Sequence, residues 1–170
     1  MRLRWAWIGV CVALLAGCGS DTISVADVAP PERIPPVDAE LADGGWPETA
    51  AWIRRELEAG RPVIVNIFAS WCVPCQREMP LVLETARAHD DVAFLGIDHL
   101  DQRDNGARFL EEYSVDIPTI YDVAGDVAAA VQARGMPTTV AFDLDGELVV
   151  HHTGELTQRA LDEMVATITR

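Results

Sequence analysis

Two cysteines three positions apart, Cys72 and Cys75, follow almost directly on the apolar run 62–68. The run has the composition of a buried strand, and Pro74 stands where the first turn of a helix tolerates a missing N–H. Residues three apart on a helix have Cβ atoms about 5–6 Å apart, and a disulfide needs about 3.5–4.5 Å. A small local adjustment can therefore open and close the bond. The pattern predicts a redox-active dithiol where a strand passes into a helix.

The two sulfurs are expected to have different roles. Cys72 stands at the predicted helix N-terminus, where unpaired N–H groups and the macrodipole favour an anion, so its thiolate is expected to form more readily than that of a free cysteine. Cys75 lies one turn further in and is expected to be more buried. We therefore predict that Cys72 is the nucleophile and that Cys75 resolves the mixed disulfide.

Other interpretations of the cysteine pair must be weighed. A c-type haem attachment needs histidine after the second cysteine, and Gln76 occupies that position. A zinc site needs a second ligand pair, but no other Cys-x-x-Cys exists, and paired spacing is lacking among the four histidines, His89, His99, His151 and His152. We therefore predict no metal. A static structural disulfide stays open, because exported proteins can hold such bonds.

The N-terminus indicates export. Arg2 and Arg4 precede the 13-residue apolar run 5–17, which is shorter than the roughly 20 residues of a spanning helix. Small residues then lead to Cys18, so residues 1–17 resemble a bacterial lipoprotein signal peptide, with cleavage before Cys18 and lipid on its sulfur. An uncleaved anchor or an unlipidated signal stays open.

Residues 18–44 carry four prolines, several acids and no aromatic residue. Such a segment lacks the apolar surface needed to order itself, so we predict a flexible, lipid-anchored tether, followed by one domain over residues 45–170. The chain has a formal charge of −14. A polyanion of this kind is a poor candidate for binding nucleic acid.

Hydrophobic periodicity predicts alternating strands and helices in the domain. Asp104 is the predicted N-cap of the third helix, and Asp145-Gly146 is the predicted turn of a C-terminal hairpin. The order β-α-β-α, then β-β-α, indicates a three-layer α/β domain with a mixed sheet. The predicted helices are 46–58, 72–89, 105–113, 125–133 and 156–168, and the predicted strands are 62–68, 92–97, 138–142 and 148–152.

Two segments carry a family resemblance: residues 65–80, which contain the cysteine pair, and residues 135–139, which read Gly-Met-Pro-Thr-Thr. Together they resemble the thioredoxin-like, membrane-anchored thiol-disulfide reductases of the TlpA/ResA group. The resemblance implies a thioredoxin-like three-layer sandwich, with a central mixed β-sheet flanked by helices. It also implies dithiol exchange without a bound cofactor.

The resemblance implies roles for residues around the cysteines. Pro137 is expected to form a cis peptide bond that lies against the disulfide, and Met136 is expected to offer its backbone to an extended substrate. Trp71 and Pro74 are expected at the same substrate-binding surface. Pro80 matches the proline that kinks the active-site helix in this group.

Glu78 has two possible roles. In the ResA-like reductases, a glutamate at this spacing lies near the buried cysteine and influences its proton transfer. The alternative is that Glu78 only complements the helix dipole. Thioredoxins proper have a buried aspartate where this chain has Asn66, so a proton carrier here must be Glu78 or water.

The sequence favours a lipid-anchored, extracytoplasmic enzyme that reduces disulfides in exported proteins. Apocytochrome c is the client that the resemblance suggests, and a thiol protein of the membrane would supply the electrons. A disulfide-forming oxidase or isomerase, and a non-enzymatic binding module with a static disulfide, stay open. A peroxide reductase would ordinarily have a separate peroxidatic cysteine, and none is present in the domain.

Overall fold

A six-stranded mixed β-sheet forms the centre of the computed structural model, which describes residues 22–30 and 41–170. The strand order is β1-β4-β3-β2-β5-β6. The pairs β1–β4, β4–β3 and β3–β2 are parallel, and the pairs β2–β5 and β5–β6 are antiparallel. The strands are β1 Ala42–Asp43, β2 Val63–Phe68, β3 Ala93–His99, β4 Thr119–Asp122, β5 Thr138–Phe142 and β6 Leu148–Thr153. The helices are α1 Trp46–Glu58, α2 Val73–Ala88, α3 Arg103–Glu112, α4 Asp126–Ala130 and α5 Gln158–Ile168.

Helices cover both faces of the sheet. Helices α1 and α4 pack on one face, and α2, α3 and α5 pack on the other. Every residue of β2 is buried, because this central strand has strands on both edges and helices on both faces. Successive side chains of β2 therefore alternate between the two cores: Val65 contributes to the first, Ile64 to the second, and Asn66 shares the face of Ile64.

The predicted three-layer arrangement with a mixed sheet is confirmed. The predicted helices and strands are all present: helix 46–58 and strand 138–142 have the predicted ends, and the others have shifted ends. The predicted turn at Gly146 is also confirmed: this residue has φ +81°, and the Asp143 carboxylate accepts hydrogen bonds from the Asp145 and Glu147 N–H groups.

Two details of the prediction are wrong. Helix α3 has Gln102, not Asp104, at its N-cap position, and Asp104 lies in the first turn, where a carboxylate still complements the helix dipole. Helix α4 ends at Ala130 rather than at residue 133, because Gln132 has a left-handed φ of 56° that a helix cannot continue.

The predicted tether over residues 18–44 needs correction in its described parts. Val25 is 1% exposed, and its N–H donates to the Gly146 carbonyl at 3.1 Å. The Arg54 guanidinium donates to the carbonyls of Val25 and Val28 at 2.7 and 2.8 Å, and β1 pairs with β4. Residues 22–30 and 41–44 are ordered because the domain supplies partners for their backbone, although they have little apolar surface of their own. The folded unit thus includes residues before position 45.

The predicted signal peptide at residues 1–17 and the lipid site at Cys18 lie outside the described residues. Among the residues that are described, no helix combines the length and the apolar character needed to cross a bilayer.

Candidate active site

A disulfide joins Cys72 and Cys75 at the beginning of α2, with their Cα atoms 5.2 Å apart. The helix begins here because Cys72 has extended backbone angles as the N-cap residue, and Pro74 falls in the first turn. Cys72 is 5% exposed and Cys75 is 0% exposed. Cys75 is therefore the more buried, as predicted, but Cys72 presents only a small edge to solvent rather than an open sulfur.

Helix geometry directs hydrogen-bond donors toward Cys72. The Cys75 N–H donates to Cys72 Sγ at 3.3 Å, and the Gln76 N–H donates to the Cys72 carbonyl at 3.1 Å. An N–H donor and the positive end of the α2 dipole both stabilise negative charge on this sulfur. The arrangement can therefore support a thiolate at Cys72 once the disulfide is reduced.

The loop between β2 and α2 is held from both sides at Ser70. The Ser70 N–H donates to Asp101 Oδ2 at 2.6 Å, and the Ser70 carbonyl accepts from Gln76 Nε2 at 2.8 Å. Asp101 also accepts from the Gln102 N–H at 2.7 Å, so its carboxylate bridges the start of α3 to this loop. These bonds fix the backbone two residues before Cys72.

Four residues predicted at the substrate-binding surface lie at or near the disulfide. Trp71 and Val73, which flank Cys72, are 58% and 55% exposed, and Pro74 is half-buried. The peptide bond between Met136 and Pro137 is cis, as predicted. The Met136 side chain packs on the apolar cluster that contains both cysteines. The structure thus brings Met136 to the apolar cluster around the disulfide.

Glu78 is buried one helical turn beyond Cys75, with 2% of its surface exposed. Its carboxyl oxygens accept hydrogen bonds from Asn66 Nδ2 at 2.8 Å and from the Leu156 N–H at 2.7 Å. Burial raises the pKa of Glu78, and this rise is opposed by the two hydrogen bonds and by the nearby His152. A buried carboxyl with a raised pKa, one helical turn from a buried thiol, can serve as the proton acceptor for that thiol.

Asn66 connects Glu78 to the sheet. Its Nδ2 atom also donates to Thr139 Oγ1 at 2.9 Å. Thr139 is the register partner of Asn66 on β5 and of His152 on β6, so the three side chains form a row on the face covered by α2 and α5.

Asp98 is a second buried carboxyl near the site. It is 0% exposed on β3, beside Phe68 in register and beneath Gly106 of α3. Burial and the negative charge of Asp101 raise the pKa of Asp98 to about 8. Asp101 also accepts the hydrogen bond that holds the active-site loop, so a charge on Asp98 would act on the residue that fixes this loop.

Sequence reasoning found the cysteines, Glu78 and the proline segment but did not identify Asp98, Asp101 or His152. The sequence does mark Asn66 as unusual, because it is the one polar residue in β2. The sequence does not mark Asp98, Asp101 or His152, because their proximity to the cysteines depends on strand register and on the path of the β3–α3 loop. Within residues 22–30 and 41–170, no cluster of three or more His, Cys, Asp or Glu side chains is suited to holding a metal ion.

The profile of the Redoxin family matches residues 55–168 of this chain. The thiol-disulfide oxidoreductase ResA of Halalkalibacterium halodurans is 30% identical over 116 residues, which cover 67% of this chain and 65% of that protein. The thiol:disulfide interchange protein CycY of Rhizobium leguminosarum bv. viciae is 33% identical over 105 residues, or 61% and 56% of the two chains. The chain thus spans less than two thirds of the length of these relatives.

Solved structures show the same fold. The structure of MTB dsbF in its mixed oxidised and reduced forms superimposes with a TM-score of 0.61 at 29% identity, covering 64% of this chain and 81% of that one. A thiol:disulfide interchange protein of the thioredoxin family from Chlorobium tepidum gives 0.61 at 22% identity, covering 68% and 84%. The predicted thioredoxin-like fold class is therefore confirmed.

Proposed function

Because the chain belongs to the Redoxin family, we propose that it is a thiol-disulfide oxidoreductase that reduces disulfides of exported proteins through Cys72 and Cys75. The observation that carries the proposal is the position of this disulfide. One sulfur lies at the N-terminus of α2 with an edge at the surface, and the other is fully buried beside the same helix turn. Relatives named for thiol-disulfide oxidoreduction and thiol:disulfide interchange support it.

The first step of the proposed reaction takes place at Cys72. In the reduced protein, the Cys72 thiolate attacks one sulfur of the client disulfide, and the second client sulfur leaves as a thiolate. The Cys75 N–H and the helix dipole stabilise the attacking anion. The product is a mixed disulfide between Cys72 and the client.

The second step uses Cys75 and Glu78. The Cys75 thiol gives its proton to the Glu78 carboxylate, and the resulting thiolate attacks Cys72 Sγ. The Cys72–Cys75 disulfide forms, and the client sulfur leaves as a thiolate. Two electrons have then passed from the dithiol to the client. The burial of Glu78 and its raised pKa support this role as proton acceptor.

The surface beside Cys72 suits an extended, unfolded client. Trp71 and Val73 offer exposed apolar surface on either side of the nucleophile, and the backbone at Met136 could pair with a client strand. We propose that Trp71, Pro74, Met136 and Pro137 form the client-binding surface. Apocytochrome c is the client that the family resemblance suggests.

We further propose that lipid on Cys18 holds the chain at the extracytoplasmic side of a bacterial membrane. Three features of the sequence support this location: the basic residues Arg2 and Arg4, the short apolar run, and the small residues before Cys18. A membrane thiol protein would then regenerate the dithiol after each turnover. The exchange chemistry itself involves only protein sulfurs and protons.

Insulin reduction by the purified full chain, with dithiothreitol as electron source, tests the proposed function. The wild type should accelerate insulin precipitation, Cys72→Ala should not, and Cys75→Ala should accumulate a mixed disulfide at Cys72 that mass spectrometry identifies. A wild type that is no faster than Cys72→Ala would refute the proposed enzymatic activity and would favour the interpretation as a static disulfide. Equilibration with reduced and oxidised glutathione then separates a reductase from an oxidase, because a reductase has the more negative potential.

A further inference from the structure

A polar row crosses the face of the sheet behind the disulfide, next to an apolar core. Asn66, Thr139 and His152 lie in register on β2, β5 and β6. The residues two positions away on the same strands, Ile64 and Ala141 among them, belong to the apolar core beneath α2 and α5. Glu78 meets the row through its hydrogen bond from Asn66. Polar side chains in such a core need a reason, because burying them is costly.

His152 forms the outer end of this row. Its Nε2 atom is buried and has no hydrogen-bond partner among the described residues. The residue as a whole is half-buried, and it lines an open surface pocket of about 250 Å³ together with Glu163 and Thr167 of α5. His152 is therefore positioned between the buried Glu78 region and solvent.

The charged groups around the row come from three elements. Helix α2 contributes Glu78, and the loop before α5 contributes Glu155, which is paired with the exposed Arg77. Helix α5 contributes Glu163, which is paired with Arg159. His152 lowers the pKa of Glu78 and Glu155 raises it. Among the described residues, Glu155 and Glu163 each have an arginine partner, so His152 is the group beside this row whose positive charge would favour the Glu78 carboxylate.

We propose that His152 is a positioning residue that acts through Glu78. The two side chains ionise as a coupled pair: when Cys75 gives its proton to Glu78, His152 releases a proton to solvent. The proposal rests on the proposed function, since it requires Cys75 to lose its proton during exchange. It adds a residue on β6, far from the cysteines in sequence, to the proton chemistry of the site.

Before the second exchange step, Glu78 is a carboxylate and His152 is a protonated imidazolium. Cys75 transfers its proton to Glu78, and its thiolate displaces the client sulfur from Cys72 Sγ. With the Glu78 charge neutralised, His152 loses its proton to water in the surface pocket. One proton leaves the protein and two electrons reach the client. The proton held by Glu78 then returns to His152, so the pair regains the carboxylate and imidazolium forms with which the step began.

Stopped-flow reaction of the reduced full chain with 5,5′-dithiobis(2-nitrobenzoic acid) tests the proposal, because each exchange step releases one coloured thiolate. His152→Gln removes the charge and keeps a polar side chain. We expect its second phase to be at least about threefold slower than in the wild type at pH 6 and equal at pH 9, because the positive charge that favours the Glu78 carboxylate is missing from the variant. Its first phase, set by Cys72, should be unchanged.

His151→Gln is the matched control, since His151 is the adjacent residue on the opposite, exposed face of β6. Both of its phases should follow the wild type from pH 5 to 9. In a Glu78→Gln background, adding His152→Gln should cause no further change in the second phase. A His152→Gln profile that superimposes on the wild type, or one that still slows the reaction without Glu78, would overturn the proposal.

An NMR titration of the oxidised wild-type chain provides a test without substitution. The side-chain carboxyl carbon of Glu78 and the ring carbons of His152 should each show two inflections, at midpoints common to both groups. Independent single-step curves would overturn the coupling. A wild type that gives no second thiolate release would refute the proposed function itself, whereas normal two-phase release with uncoupled groups refutes only the role of His152.

Discussion

Cys72 and Cys75 are chemically similar residues in unequal surroundings. Cys72 closes the N-terminus of α2 and accepts the Cys75 N–H, whereas Cys75 is enclosed by the cluster of Phe68, Met79 and Leu83. A thiolate is stabilised at the first position and disfavoured at the second by desolvation. This difference is sufficient to order the two exchange steps.

Replacing Glu78 by glutamine tests its proton-transfer role. Both carboxyl oxygens accept N–H donors, so one donor would face the glutamine NH₂ group, at a cost of about 1–3 kcal/mol. We therefore expect a lower free energy of unfolding by urea, together with a slower resolving step whose pH dependence is flattened. Asn66→Ala is the control that removes one of the two hydrogen bonds to the carboxyl group but retains the carboxyl itself. Loss of stability with an unaltered pH profile would limit Glu78 to a structural role.

The individual site residues differ in how readily they can be predicted from the sequence. One helix holds Cys72, Cys75 and Glu78, so their proximity follows from their spacing and from the 3.6 residues per helical turn. His152 reaches the same site only through the register of three strands, which depends on how the whole sheet assembles. The cis bond before Pro137 came from family resemblance, because local chemistry favours trans.

Strand β3 and helix α3 enclose a carboxyl without an evident counter-charge. Asp98 lies beneath Gly106, and a Cβ atom at that position would overlap the Asp98 carboxyl group. The close approach of the helix explains the exclusion of water from Asp98. With Asp101 nearby, the neutral form is favoured, and the pKa of Asp98 rises from 3.8 to about 8.

Asp98→Asn should change how stability depends on pH. Because the folded state binds this proton more tightly than the unfolded state, the contribution of Asp98 is complete below pH 3.8 and is lost as the pH rises to about 8. Relative to the variant, the wild type should therefore lose at least ~2 kcal/mol of unfolding free energy over this range. Urea titrations from pH 4 to 9 measure the difference, and parallel curves would contradict the assignment.

The boundaries of α3 and α4 were less predictable than their existence. Asp104 has a cap-forming side chain, but the chain leaves β3 through Leu100, which has a left-handed φ of 48°, and the Asp101 carboxylate accepts the Ser70 and Gln102 N–H groups. Helix α3 therefore starts earlier than local preference indicates. Strands β1 and β4 were not predicted, because their two and four residues are too few to show a clear alternation of apolar and polar side chains.

The N-terminal segment shows how a domain can order a sequence that lacks its own core. Residues 22–30 contain one well-buried side chain, Val25, and otherwise depend on hydrogen bonds from Arg54 and the β5–β6 turn. Composition correctly indicated little apolar surface. It could not indicate that the folded domain would provide partners for this backbone.

Arg54→Ala should release this segment. The substitution removes the donor to the Val25 and Val28 carbonyls, so we expect a loss of about 1–3 kcal/mol and faster thermolysin cleavage within residues 22–30. Arg108→Ala removes an exposed arginine from α3 and should leave this cleavage unchanged. Equal cleavage rates in Arg54→Ala and wild type would show that Arg54 does not hold the segment.

Cys18→Ala tests the proposed anchor. In a bacterial host, the wild-type chain should fractionate with membranes and yield an N-terminal peptide bearing acyl chains, whereas the variant should lack the lipid. Cys11→Ala is the control, because that cysteine lies inside the predicted signal peptide. A wild-type chain with an unmodified Cys18 would refute lipidation.

Peptide-level alkylation kinetics of the reduced wild-type chain test most directly whether the two sulfurs have unequal roles. Iodoacetamide should modify Cys72 at least about tenfold faster than Cys75 at pH 7, since only Cys72 has both an edge at the surface and a stabilised thiolate. Mass spectrometry of quenched time points gives both rates from one sample. Equal rates at the two cysteines would contradict the assignment of nucleophile and resolving thiol.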